Sequence, residues 1–155
     1  MNADVQLMEH MMNPQNYGEL EDSDATGIGK NPLNGEKVAI YIKVKEADDP
    51  VIEDIKFQAI GCTTTIVAGS IITSEAKGVS FSRAEELIGI TLGMLDNVPP
   101  EDAACTEMVA LALKASMDTY IARQKDSDFP IISYKISTDC TPKEEDEEKK
   151  DEKTI

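Results

Sequence analysis

Residues 37–60, KVAIYIKVKEADDPVIEDIKFQAI, decide the fold of this 155-residue chain. Apolar residues take alternate positions in the first part, 38–44, and again in the last part, where Ile55 and Phe57 alternate with polar residues. Such alternation is the period of a strand that buries one face. The acidic, proline-containing EADDP between the two parts predicts a hairpin loop. Because two strands alone are only marginally stable, we expect a third strand near residues 25–29.

Helical spacing replaces strand spacing after Gly61. Small and apolar residues recur three and four positions apart from Ile66 to Ser74, which is the period of a helix with one inner face. The run is followed by Gly78, the type of residue that most often ends a helix. The sequence therefore predicts a helix that begins directly after the hairpin.

Two more helices are predicted further along the chain. The first begins at Ser82, with Glu85 three residues on as the acid of a capping box. The second follows the double proline at 99–100 and runs to about Lys125. Their inner faces are expected to hold the apolar residues at helical spacing: Ala84, Leu87 and Ile88 in the first, and Met108, Val109, Ala112, Leu113, Met117, Tyr120 and Ile121 in the second.

The two ends of the chain complete this pattern. Residues 5–12 have the spacing of a short amphipathic helix, and 129–137, FPIISYKIS, are expected to form one more strand. Strands first and helices afterwards argue for an α+β fold, with helices packed on one face of a small antiparallel sheet. We expect one domain at 1–127, an extension at 128–142 that holds the extra strand, and a disordered acidic tail at 143–155.

Charge limits what the protein can bind. Its 30 acidic residues against 15 basic ones give a net charge of −15, which repels the phosphates of nucleic acids and of anionic lipids. The tail, KEEDEEKKDEKTI, has seven acids and four lysines, so −12 remains on the residues before it. We therefore expect no nucleic acid and no membrane among the partners, and we expect protein partners to present a basic face.

The cysteines and the absence of export signals favour the cytoplasm. No run approaches the roughly 18 apolar residues of a membrane-spanning helix, and the first ten residues, MNADVQLMEH, lack the pattern of a signal peptide. Cys62, Cys105 and Cys140 are an odd number of thiols, far apart in the chain. A framework of disulfides is therefore not expected.

Two of these thiols are candidates for chemistry. Cys62 follows the predicted strand that ends in Gly61 and opens a helix, and Cys105 lies near the start of the helix after the double proline. The free amides and partial positive charge at a helix N-terminus favour thiolate, the form that binds metals or carries sulfur. Alternatively, each cysteine is a small buried apolar residue, which is the usual role of a single cysteine.

The segment NPLNGEK, residues 31–37, is a second place to look for chemistry. Its Asn-Gly pair is a strong turn signal, and Asn34 and Glu36 by themselves are ordinary turn residues. His10 is the only histidine, so a Ser-His-Asp or Cys-His catalytic arrangement is not expected. A surface or half-buried structural role is the simplest interpretation of His10.

Four stretches together resemble one family. They are LMEHMMNPQNYG, NPLNGEKVAIYIKV, FQAIGCTTTIVAGS and VPPEDAAC, which agree in order and spacing with a known pattern over about residues 7–123. The chain resembles the U-type iron-sulfur cluster assembly scaffolds, the IscU/NifU N-terminal domain family. The resemblance implies a SufE/IscU-like α+β fold and a protein that assembles a labile cluster and passes it on.

The resemblance also assigns the site, residue by residue. In that family three cysteines surround the cluster, with a histidine before the third and an aspartate two residues after the first. The second and third cysteines fall on Cys62 and Cys105, and the aspartate falls on Glu36. The first cysteine falls on Asn34 and the histidine on Ala104, so one thiolate and the imidazole are missing here. The resemblance thus implies Cys62, Cys105 and Glu36 as ligands.

A cluster such as [2Fe-2S] takes four ligands, mostly thiolates, and three ways to accommodate the missing ones remain open. Two protomers could each give two cysteines, which would also suit a bridged [4Fe-4S] cluster. Cys140 could be recruited from the extension, although its simplest interpretation is structural or incidental. In the third case the chain is a degenerate adaptor or regulator that binds its partners with an empty site.

The family also implies the partners of the protein. These partners are a cysteine desulfurase of the IscS/NifS type, an Hsp70-type chaperone system, apo iron-sulfur proteins and a second copy of the chain. Asp102 stands where the chaperone-recognition stretch usually has a lysine. The protein would be a carrier and not a turnover enzyme. Zinc is an alternative occupant, held by Cys62, Cys105, Glu36 and water.

Overall fold

The computed structural model describes residues 14–32, 35–60, 63–94 and 100–136. These residues form four strands, β1 (Ala25–Lys30), β2 (Lys37–Lys45), β3 (Val51–Ile60) and β4 (Ile132–Lys135), and three helices, α1 (Thr63–Ala76), α2 (Phe81–Gly93) and α3 (Pro100–Lys125). The strand order in the sheet is β3-β2-β1-β4. The predicted α+β class is confirmed, whereas the helix expected at 5–12 and the tail at 143–155 lie outside the described residues.

Three strands form the predicted antiparallel sheet, and the fourth joins it in parallel. β1 pairs with β2, and β2 pairs with β3, both antiparallel. β4 pairs with β1 in parallel, because α3 carries the chain back across the sheet before β4 begins. The strand expected at 129–137 is therefore present but shorter than predicted, and it makes the sheet mixed.

The buried face of the sheet follows the predicted alternation. Val38, Ile40 and Ile42 of β2 are fully buried, as are Ile55 and Phe57 of β3. This face packs against α1 and α3, while the alternate residues face away from the helices. The helices therefore lie on one side, as the sequence predicted.

Glycines allow α3 to lie directly on β1. A Cβ added to Gly27 would be 2.0 Å from the backbone nitrogen of Ser116, and one added to Gly29 would be 2.1 Å from the carbonyl oxygen of Met108. Only glycine permits such a backbone approach. The contact fixes α3 antiparallel to β1, since residues later in β1 meet residues earlier in α3.

α3 is buried on most of its circumference, because the sheet covers one side and α1 and α2 cover another. The predicted inner residues are buried, with one exception. Ile121 is 46% exposed, so its predicted inner position is wrong. It falls on the solvent-facing stripe that the spacing of Lys114, Asp118 and Lys125 defines.

The start of α2 also differs from the prediction. Its N-cap is Ser80, whose side chain accepts a hydrogen bond from the Arg83 amide at 3.2 Å, and not Ser82. The hairpin loop sets this boundary, because the Phe81 amide donates to the carbonyl of Pro50 at 2.7 Å. Ala84 and Ile88 are buried in this helix, as predicted.

The outer edge of β3 is covered by the segment before β1. The amides of Gly18 and Phe57 donate to the carbonyls of Phe57 and Asn16, at 2.8 and 2.9 Å. An edge strand whose backbone is paired in this way offers less of a template for another chain. Within the described part of the chain, no helix is long and apolar enough to cross a membrane.

Candidate functional site

One end of the sheet collects the segments that carry the predicted site. We call it the Glu36 end, and it consists of the end of β1, the start of β2 and the ends of β3 and β4. The register shows this directly, since Lys37 pairs with Lys30 on one side and with Ile60 on the other, and Lys135 pairs with Lys30. α1 begins three residues after Ile60. The end of β3 and the start of α1 are therefore both at this end.

The turn at 31–36 places Glu36 on the side of the helices. The Asn31 amide donates to the Glu36 carbonyl at 2.9 Å, and the Gly35 amide donates to the Asn31 carbonyl at 3.0 Å. Gly35 has φ +77°, which glycine adopts without strain. The first of these bonds continues the β1–β2 ladder by one pair, so Glu36 shares a face with buried Val38. Its side chain is half-buried.

Cys105 lies on the part of α3 that reaches this end. Gly27 of β1 lies against Ser116 of α3, and Gly29, two residues later in β1, lies against Met108, eight residues earlier in α3. The two elements therefore run in opposite directions. Because β1 ends one residue after Gly29, the end of β1 lies beside the turn of α3 that precedes Met108, and this turn holds Cys105. The thiol is free of a disulfide and 7% exposed. Cys105 is the sixth residue of α3, beyond the first turn in which helix-end charge acts most strongly.

β4 brings a further segment to the same end. It runs parallel to β1, and the Ile136 amide donates to the carbonyl of Lys30 at 2.9 Å. Ile136 is 3% exposed, so the chain is held in the core up to this point. Cys140 comes four residues later. The sequence alone gave no sign of this direction, because a strand after a helix can pair either way.

The other positions singled out from the sequence lie outside the described residues. They are Asn34, Cys62, Cys140 and His10. Within the described ranges no group of three or more His, Cys, Asp or Glu side chains is placed to hold a metal ion. Glu36 and Cys105 are thus brought to one end of the sheet, and the assignment of Cys62 as their companion remains a prediction.

Two buried polar residues near this end were missed from the sequence. Asn31 is 8% exposed at the end of β1, and Glu107 is 6% exposed on α3. Glu107 lies one helical turn after Ala104, where the resemblance places the missing histidine, and on the same side of the helix. Glu107 could have been found from the sequence, because it is a carboxylate three residues after Ala104.

Known proteins are similar to this chain over most of its length. Residues 3–127 match the family model described as the NifU-like N terminal domain. A protein of Archaeoglobus fulgidus named iron-sulfur cluster assembly scaffold protein IscU 1 is 36% identical over 118 residues, which cover 76% of this chain and 75% of the relative. The scaffold protein IscU of Aquifex aeolicus is 30% identical over 147 residues, covering 94% of this chain and 90% of the relative.

Solved structures share the fold. A putative iron-sulfur cluster assembly scaffold protein for the SUF system from Fervidobacterium islandicum AW-1 superimposes with a TM-score of 0.61 at 18% identity, covering 72% of this chain and 93% of the other. A NifU-like N-terminal structure from Brucella abortus gives 0.62 at 16% identity, covering 76% and 93%. The fold is thus the α+β domain that these structures have in common. The chain belongs to the NifU-like N-terminal domain family.

Proposed function

We propose that this protein is an iron-sulfur cluster assembly scaffold, which receives iron and sulfur, holds a labile cluster and transfers it to apo-proteins. One structural observation supports this most directly: Glu36, the turn of α3 that bears Cys105, the end of β3 and the start of α1 lie at one end of the sheet. Relatives that carry the scaffold name cover up to 94% of the chain. The protein is then a carrier whose cargo is the cluster, and not a turnover enzyme.

The residues at the Glu36 end have the chemistry that such cargo requires. Thiolates of Cys62 and Cys105 are the ligands that iron-sulfur clusters use most. Glu36 supplies an oxygen, a harder and more weakly matched ligand than sulfur. A mixed set of this kind binds the cluster loosely, which suits a protein that must release it. Cys105 or Cys62 is also the place where sulfur from a cysteine desulfurase would be received.

The remaining ligands must replace those missing at Asn34 and Ala104. Asn34 offers only a neutral amide oxygen, which is a poor ligand for iron. The direction of β4 supports Cys140 as a source within the same chain, because β4 ends at the Glu36 end. A second protomer is the other source, since two cysteines from each would make four. Among the cluster types, [2Fe-2S] needs only one such site, whereas [4Fe-4S] would bridge two protomers.

The proposed partners follow from this role. A desulfurase supplies sulfur, apo-proteins receive the cluster, and all of them work in a compartment that keeps thiols reduced, for which we propose the cytoplasm. A role for an Hsp70-type chaperone is the weakest of these proposals, because Asp102 replaces the expected lysine and reverses the charge there. Zinc at Cys62, Cys105 and Glu36 would be a substitute for the cluster.

Anaerobic reconstitution with iron and sulfide tests the proposal. The wild type is expected to develop visible charge-transfer absorption and to retain iron and sulfide after desalting, and Cys105→Ala and Cys62→Ala to lose both. Asn34→Cys should retain more cluster than the wild type, because it adds a thiolate at the position where the family has one. Lys45→Gln, at the far end of β2, is the matched control and should behave as the wild type.

The outcome separates the alternatives. A wild-type protein that stays colourless with an intact fold, yet binds the desulfurase with or without its cysteines, would establish the adaptor role and overturn the scaffold. Metal analysis of protein purified without added metal distinguishes zinc from iron. Zinc without sulfide, in an amount that both cysteine variants lose, would contradict the cluster assignment.

A further inference from the structure

Three lysines form a row across the open face of the sheet. Lys30 of β1 is paired in register with Lys37 of β2 on one side and with Lys135 of β4 on the other. All three are exposed. Their strand neighbours Gly29, Val38 and Tyr134 face the helices, so the lysines project from the opposite side. We call these three residues the lysine row.

The row places like charges side by side. Neighbouring strands are only about 4.8 Å apart, and like charges directly opposite one another destabilise a sheet. No ion pair within 4 Å involves any of the three among the described residues. By contrast, Lys43, further along β2, is paired with Asp22 at 2.8 Å. The row is therefore a local positive surface on a strongly acidic protein.

An apolar shoulder adjoins the row. Ile60, the β3 partner of Lys37, is 61% exposed. Beside it lies a shallow concavity of about 400 Å³ whose lining includes Lys37, Tyr41 and Ile60. Exposed apolar area next to unpaired positive charge is typical of an interaction surface for an acidic segment.

We propose that the acidic run EEDEE at 144–148 of this same chain binds across the lysine row. Five consecutive carboxylates stand against three lysines. The run begins nine residues after Lys135, and nine extended residues reach about 30 Å, whereas the row spans only about 10 Å across two strand spacings. The connecting residues are therefore long enough to return over the open face.

The covalent connection favours the chain's own acidic run over an acidic segment of another protein as the occupant of the lysine row. A covalent connection of only nine residues gives the run an effective concentration in the millimolar range at the row. The residues before the tail carry −12 and repel the run everywhere else, just as they repel the acidic segments of other proteins. A separate acidic partner therefore has to displace the run before it can reach the row.

Lysine acetylation followed by mass spectrometry tests this in the full-length protein. The variant E144Q/E145Q/D146N/E147Q/E148Q removes the charge of the run and leaves the length of the tether unchanged. If the run covers the row about 80% of the time, the lysines are free to react only about 20% of the time. The three lysines of the row are therefore expected to react about fivefold faster in this variant than in the wild type. Lys45 and Lys125, exposed residues distant from the row, should react equally in both proteins.

Two further arms make the result decisive. In 1 M NaCl, where the screening length is about 3 Å, the wild type should lose its protection and match the variant. Tenfold dilution should leave the protection unchanged, because the run is in the same chain. Equal rates for the row in wild type and variant at low salt would overturn the proposal. Protection that disappears on dilution would also overturn it, since the run would then come from a second copy.

Discussion

At the scale of single residues, two glycines set how closely α3 lies on the sheet. We expect Gly27→Ala to reduce the free energy of unfolding by about 3 kcal/mol, because the new Cβ meets backbone and not a flexible side chain. Urea denaturation followed by circular dichroism measures this loss. A decrease below about 1 kcal/mol would show that α3 can shift outward without penalty.

The matched control for this substitution is Gly89→Ala in α2. Nothing lies within 4 Å of a Cβ added there, and alanine favours a helix over glycine by up to about 1 kcal/mol. The same chemical change should therefore stabilise the protein at Gly89 and destabilise it at Gly27. The position of each glycine, and not its type, accounts for the difference.

At the scale of elements, β4 is fastened to α3 by side chains. The Tyr134 hydroxyl donates a hydrogen bond to the Asp118 carboxylate. The same carboxylate forms an ion pair with Lys114, whose Nζ is 3.4 Å from Oδ2. The Ile132 amide donates to the Thr119 hydroxyl at 3.0 Å. Burial, and secondarily the hydrogen bond with Asp118, raises the pKa of Tyr134 to about 12.

This raised pKa predicts a loss of stability in alkali. A phenol whose pKa is higher in the folded state stabilises the fold fully below its unfolded pKa of about 10, and the contribution disappears between pH 10 and 12. We expect Tyr134→Phe to reduce the free energy of unfolding by about 1 kcal/mol at pH 8. The difference between the two proteins should shrink as the pH rises above 10. A difference that stays constant to pH 12 would contradict the assignment.

Much of the fold could be predicted from periodicity, because burial on one face imposes a period on the sequence. The hairpin at 37–60 and the long helix after the double proline are of this kind. The start of α2 could not be predicted, since the capping-box pattern favours Ser82 and a contact of Phe81 with Pro50, distant in sequence, makes Ser80 the cap instead. The parallel pairing of β4 was missed for a similar reason.

The site was predictable to a different extent. Glu36 and Cys105 were singled out by residue type and by family resemblance, and the register brings their segments to one end of the sheet. The lysine row was not found, because Lys30, Lys37 and Lys135 are unremarkable in sequence and become neighbours only through strand pairing. Net charge alone suggested an acidic body that binds basic partners, and the row is a local exception to it.

At the scale of the whole molecule, the order β3-β2-β1-β4 sets the end of β1, the start of β2 and the ends of β3 and β4 at the Glu36 end. The C-terminal extension is part of this arrangement, since Ile136 is buried and bonded to Lys30. This direction of β4 is compatible with the proposal that one chain supplies three thiols to one cluster. If two chains share the cluster instead, the cluster-loaded protein must be a dimer.

The two sources of the missing ligand are distinguished by Cys140→Ala. If Cys140 completes the site, the variant should retain less cluster after desalting than the wild type, and the cluster-loaded wild type should be a monomer by analytical ultracentrifugation. A thiolate is a far better iron ligand than the water or amide that would replace it, so the loss should also appear as faster transfer to a chelator. Full retention in the variant, together with a dimer that forms only when the cluster is bound, would instead assign the ligands to two protomers.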